Sequence, residues 1–198
     1  KFSKKNAIQK IMKIANTDEK TLVQAAAIET LGKLTDLELK GIFAKGLESK
    51  SYSVIGKSLV AMYYVDKQEA IKKSRALPDA IRKILATPLT RIYIEEKDEK
   101  ELPFISKSVL SGIFLTGDDA TKAIYQKAFT QISESNNSEA IQNLVNDMVV
   151  KGTQYKSFNF DKVVINLMRR MVQDQKTKNT LNRTKNTAII KEAMAKLL

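Results

Sequence analysis

An all-α fold of stacked antiparallel helical hairpins is what this sequence predicts, and three observations predict it. The first is a phrase that occurs twice. Residues 23–36 read VQAAAIETLGKLTD and residues 54–67 read VIGKSLVAMYYVDK. At an offset of 31 positions Val23 falls on Val54, Ile28 on Leu59, Leu31 on Met62 and Leu34 on Val65, with small Ala27 on small Ser58. Asp36 and Asp66 close the two phrases, one position out of step. A core pattern that returns at a fixed offset is the mark of stacked helical units. The second observation is helical periodicity elsewhere: Ile8, Ile11, Met12 and Ala15, and again Ile141, Leu144, Val145 and Met148, recur at i, i+3, i+4, i+7. The third is punctuation. Only 7 glycines and 3 prolines occur; the prolines, Gly117 and Gly152 punctuate the periodic segments, and no β-hairpin signal accompanies them.

The elements follow in order. The first stripe gives a helix over 4–15, and the duplicated phrase gives helices over 18–34 and 52–65, with further helices over 36–48 and 67–76. Pro78, Pro88 and Pro103 suit first helical turns, where a missing N–H costs little; they open helices over 78–86, 88–96 and 103–116. Thr87-Pro88 reads as an N-cap followed by the first helical residue. The short alternation Arg91-Ile92-Tyr93-Ile94 follows that start and reads as helix. Gly117 and Gly152 read as residues just past helix C-termini. Asp118-Asp119 starts a helix over 118–134, favoured by the dipole, and helices over 138–151, 161–175 and 184–197 complete about a dozen. The last-but-one buries Val164, Ile165, Leu167, Met168 and Met171, with Arg169 and Arg170 beside that face in solvent. Three interruptions stand out: charged Glu95–Glu101, asparagine-rich Ser133–Ser138, and the aromatic segment 152–160, read as a loop pinned to the core. Residues 1–198 are expected to form one all-helical domain, an α-α superhelix whose repeats are clearest over 18–76 and less regular over 78–198. The chain reads as a piece of a larger protein.

Composition removes whole classes of chemistry. The 198 residues contain no histidine and no cysteine. Histidine acid–base catalysis, thiolate nucleophiles, disulfides and His- or Cys-ligated metal are therefore outside the reach of these residues. The acidic clusters Asp118-Asp119 and Glu95–Glu99 lack the alternating oxygen ligands and glycine of a calcium loop and read as solvated helix-start or loop charges. Ser106 and Ser108, and Ser3 before Lys4-Lys5, do not make the Ser-x-x-Lys spacing of acyl-transfer enzymes. No apolar run is long enough to span a bilayer and no secretory signal is visible, which leaves the compartment open.

The net charge is +12. Residues 151–198 carry eleven basic and three acidic residues. Arg169, Arg170, Lys176, Lys178, Arg183 and Lys185 are the candidate interaction surface. A basic stripe binds phosphate backbones by counterion release, so nucleic acid is one candidate partner. An acidic protein surface is another. Lysine outnumbers arginine, and the aromatics sit at core spacing instead of among the basic residues, so the bland reading of a solubilising surface weighs more.

The phrase V-x-x-x-[small]-[IL]-x-x-[LM]-x-x-[LV]…D resembles short HEAT-like repeats, with Ala27, Ile28, Leu31, Gly32, Leu34 and Asp36 fitting best. Gln24 stands where such repeats often carry arginine. The order of features, a HEAT-like region, then Ser51-Tyr52-Ser53-Val54, then Asp66 to Ala70, then a long helical tail, resembles the C-terminal domain of aminopeptidase N-type zinc metallopeptidases, bacterial ones especially. The resemblance covers roughly residues 15–150. It implies a non-catalytic domain that closes over the active-site cleft of a catalytic domain in the same polypeptide and meets peptide substrates indirectly. The family's H-E-x-x-H helix and G-x-M-E-N motif are not in this sequence, so zinc is implied only for that upstream domain, no cofactor for these residues, and no catalytic residue is carried over.

Overall fold

The computed structural model describes residues 4–198. Among them are thirteen α-helices, four short 3-10 turns and no strand, so the chain is all-α. They form two compact units, one ending at Ile92 and the other starting at Tyr93.

The first unit holds α1 (Lys4–Thr17), α2 (Thr21–Gly32), α3 (Lys40–Gly46), α4 (Tyr52–Val65), α5 (Lys67–Arg75) and α6 (Asp79–Ile84). The boundary falls within α7 (Ala86–Glu95). The two phrase helices, α2 and α4, are direct neighbours. Glu29 pairs with Lys57 at 2.8 Å. Three residues on, a β-carbon placed on Gly32 would lie 2.7 Å from that of Ala61. Contacts advance in the same direction along both helices, so α2 and α4 run parallel, one phrase laid on the other. Small residues at the crossing let the backbones approach, and Ile28, Leu31, Leu59 and Met62 are buried around it, each contributing about 2 kcal/mol of apolar burial. Within the hairpin below, Lys40 at the start of α3 meets Asp66 at the end of α4, and Gly46 at the end of α3 packs on Ser58 in mid-α4. Those helices are therefore antiparallel.

The acidic residues that close the phrases are helix caps. Asp36 accepts from the backbone N–H of Glu38 and starts a 3-10 turn at Leu37–Leu39; the helix expected over 36–48 is thus a turn followed by α3. Asp66 accepts from Glu69 N–H at 3.0 Å and caps α5, whose Ala70 is fully buried. Three expectations need correction here. Val23 and Leu34 are partly exposed, although Val54, the counterpart of Val23, is buried. Thr87 is not a cap, because α7 already begins at Ala86 with Leu89 N–H bonded to Leu85 O; Pro88 sits harmlessly in that first turn. Pro78 is the residue before α6 and not within its first turn.

The second unit contains α8 (Leu102–Ile105), α9 (Val109–Phe114), α10 (Asp119–Ser133), α11 (Ser138–Gln154), α12 (Phe160–Lys178) and α13 (Arg183–Ala195). Contacts Thr130–Arg170, Ser133–Asp174 and Glu134–Lys178 advance together, so α10 and α12 are parallel. Ser138–Asn186 and Gly152–Leu197 make α11 and α13 parallel likewise. Gly152 against Val164, and Ser135 against Gln175, make α11 and α12 antiparallel. Within the second unit, too, helices pair as hairpins with parallel next neighbours, without the repeated phrase.

Asp118 caps α10 as its sequence suggests, accepting from Thr121 N–H at 2.7 Å. The helix expected over 103–116 is broken, because Ser106 and Ser108 turn their hydroxyls back onto Pro103 and Ile105 carbonyls and hold a 3-10 turn between α8 and α9. Gly117 is not the residue just past the end of α9, because Leu115 is that helix's C-cap and Thr116 intervenes. Gly152 does not end a helix: it lies inside α11, where a β-carbon would sit 2.8 Å from Val164 Cγ2 and 3.1 Å from Leu197. The segment 152–160 is mostly ordered structure, a last turn of α11 and a 3-10 turn closed by left-handed Asn159. Its aromatics do not plug the core. Phe160 stacks edge-on with Phe114 and Tyr155, while Phe158 is 80% exposed.

Candidate functional site

The six basic residues singled out in the sequence lie on α12 and α13, all exposed. They do not form one cluster of open cations. Arg170 lies along the α10–α12 seam with its guanidinium 5.3 Å from the Phe129 ring centre, donates to Thr130 Oγ1 at 3.2 Å and sits 3.7 Å from Asp174. Lys178 reaches Glu134 at 3.3 Å, two turns further along the same seam. Arg169 donates to the amide oxygen of Asn166 on its own helix, and Arg183 to that of Asn179, the residue that caps the end of α12. Lys176 and Lys185 extend from exposed positions of α12 and α13. Two of the six are therefore partly neutralised by carboxylates of the fold itself, which weakens the stripe as a track for phosphates.

Arg170 also stands at the rim of an open groove of about 890 Å³ between the end of α7, α9, α10 and α12. Ile94 and Phe129 form its apolar floor, and Glu95 and Lys127 lie at its edges. Gln131 holds the floor in place by donating to the Ile94 carbonyl at 2.8 Å. An apolar side chain beside a carboxylate matches this combination of floor and guanidinium.

Beneath the surface lies a polar network that the sequence reading missed. Gln175 is fully buried; its Nε2 donates to the Ser133 and Ser135 carbonyls at 2.7 and 3.0 Å. Its Oε1 accepts from Thr180 Oγ1 and from Asn186 Nδ2. Asn186, also buried, accepts from Ser138 Oγ at 2.7 Å. Ser133 donates to Asp174 at 2.5 Å, and Asn182 donates to the Asn136 carbonyl. The polar segment Ser133–Ser138 is thus a fully anchored corner, with Asn137 capping α11 and bonded to Glu99 O. The signal was present: Gln175 follows Met168 and Met171 on one helical stripe, and Asn186 shares a stripe with Ile190 and Ala193. A polar residue on an apolar stripe must find buried partners.

In the first unit the charged pairs bridge helices. Lys40 and the Glu69 N–H hold the Asp66 carboxylate below the ordinary carboxylate range, and Asp66 in turn raises Lys40. Lys57 lowers Glu29 in the same way. Among the described residues no three acidic side chains converge to hold a metal ion, and no helix is long and apolar enough to cross a membrane.

Fold and surface together define an all-α protein of stacked helical hairpins with a partly self-paired basic face. Comparison of the chain with family models, with curated proteins and with solved structures found no match.

Proposed function

We propose that this region is the non-catalytic C-terminal helical domain of an aminopeptidase N-like zinc metallopeptidase, packing on the catalytic domain of the same polypeptide and limiting which peptides reach it. One observation supports the reading above others: most of the residues that carry the resemblance serve the packing of hairpins, with Leu34 and Tyr52 left exposed. Ile28, Leu31 and Gly32 line the α2–α4 seam, Ser51 precedes α4, and Asp66 and Ala70 start and seat α5. Zinc chemistry belongs to the catalytic domain in this reading, since these residues include no histidine or cysteine to hold the ion. The test is the coding sequence upstream of Lys1. An H-E-x-x-H helix followed by a further glutamate, in frame with this region, is the expected result; an upstream sequence lacking them overturns the proposal.

A second reading, a basic module that binds an acidic protein partner or nucleic acid, draws on the groove at Arg170 and on exposed Arg169, Lys176 and Lys185. Binding of single- or double-stranded DNA by the isolated chain, falling steeply with salt, favours it. No binding at 50 mM salt removes the nucleic-acid form.

A further inference from the structure

The phrase helices have two stacking faces, and one of the four resulting faces lacks a partner. The forward face of α2, Glu29 and Gly32, lies on the rear face of α4, Lys57 and Ala61. The forward face of α4 meets the next helix in turn: a β-carbon on Gly56 would lie 3.2 Å from Leu85 and 3.5 Å from Pro88. Shifting the rear face of α4 back by the 31-residue offset gives Ala26 and Thr30 on α2, with Val23 in the place of Val54. That face is open. Val54 is 2% exposed but Val23 is 39%, and Leu22, one turn before Ala26, is 73%. Thr30 turns its hydroxyl onto the Ala26 carbonyl at 2.8 Å, so its polar atom is satisfied within the helix. A second feature lies on the same side: a groove of about 570 Å³ at the α1–α2 turn, walled by Ile14 and Val23 with Lys13, Thr17 and Lys20 around it.

We propose that the rear face of α2 is a stacking surface for one further helical hairpin of the same repeat, whose second helix lies parallel to α2 as α2 lies on α4. A true end of a helical stack carries a polar outer face, and Leu22, Val23 and Ala26 are the opposite. The required partner helix carries a glycine or alanine one turn after the residue set opposite Ala26, as Gly32 follows Glu29. The proposal is independent of the peptidase reading, because any neighbour of this repeat class satisfies it.

The experiment extends the full chain by a copy of its own first layer, residues 4–39, joined ahead of residue 4. The chain has no cysteine, so Glu29→Cys in the added copy and Ala26→Cys in α2 are the only thiols. A short bis-maleimide is expected to link them, reproducing the Glu29–Lys57 register, and Leu22→Lys with Val23→Lys in α2 is expected to reduce the linking at least fivefold. Circular dichroism should report the added helices as formed. Formed helices without the cross-link overturn the proposal. An added layer that stays unfolded overturns it equally, because the face is held to template that layer. A native chain that dimerises, and becomes monomeric on Val23→Lys, overturns it in favour of a second copy.

Discussion

The α2–α4 seam and the α10–α13 seams both join parallel next-neighbour helices, and they do it with different chemistry. In the first, small residues bring backbones together at Gly32 and Ala61 and bulky apolar residues close around them, with the buried Ser58 hydroxyl one turn away as the polar exception. In the second, Gln175 and Asn186 sit inside the stack and gather the Ser133–Ser138 corner by hydrogen bonds. A shape-based seam tolerates repetition, because the same small and large residues recur at each layer. A network seam is particular to its partners. That difference explains why the phrase fades after Asp66 although the stacking does not.

The largest effect is expected where the network is broken. Gln175→Leu leaves the Ser133 carbonyl and the Thr180 hydroxyl without their Gln175 partner and reduces the Ser135 carbonyl and the Asn186 amide to their mutual 3.4 Å contact, at a cost of about 3 kcal/mol. The chain lacks tryptophan, so Tyr64→Trp and Tyr155→Trp, each at a part-exposed site, report the two units separately in urea titrations. The loss should register in the second unit. Next comes Gly32→Val, whose β-carbon meets both Cβ and Cα of Ala61; overpacking there should cost the first unit about 2 kcal/mol. Equal losses in both units for either variant would erase the contrast between the seams.

Ser58→Ala is expected to act with the opposite sign. Its hydroxyl is fully buried, crowds Gly46 and has no hydrogen-bond partner. The phrase itself has alanine at the matching position, Ala27. Removing the stranded group should stabilise the first unit by about 1 kcal/mol in the same titration. A destabilised variant would mean that the apolar seam depends on this hydroxyl after all.

The smallest effect is electrostatic. Asp66 and Glu29 are depressed in the folded chain, chiefly by hydrogen bonds from Lys40 and Lys57. Their stabilisation is therefore present above their ordinary values, 3.8 and 4.5, and is lost as pH falls through the lower folded values. Lys40 is raised, so its share is present below 10.5 and lost as pH climbs through its folded value. The first unit should lose stability below about pH 4.5, and Asp66→Asn should flatten part of that acid limb. The Gln175 and Asn186 amides, by contrast, do not titrate.

The fold class was legible because helical period and punctuation are local signals. The phrase anchors Ile28, Leu31, Leu59 and Met62 are the core of the first unit. Errors arose where tertiary neighbours decide. Gly152 has the sequence of a helix end but serves close packing with Val164 and Leu197, and Val23 has the sequence of a core residue but lacks a neighbour. For the candidate surface, composition located the basic residues on α12 and α13, yet it could not reveal that Arg170 and Lys178 meet Asp174 and Glu134, because such pairings depend on the parallel register of α10 and α12.

Parallel packing of α2 on α4 is what makes the duplicated phrase a duplicated layer. It is tested most directly by nuclear Overhauser contacts from the methyl group of Ala61 in the alanine-methyl-labelled chain. The expected pattern is a strong contact from Ala61 to the Gly32 α-protons, near the end of α2. Contacts from Ala61 to Leu22 or Val23 instead, at the start of α2, would place the two helices antiparallel and contradict it.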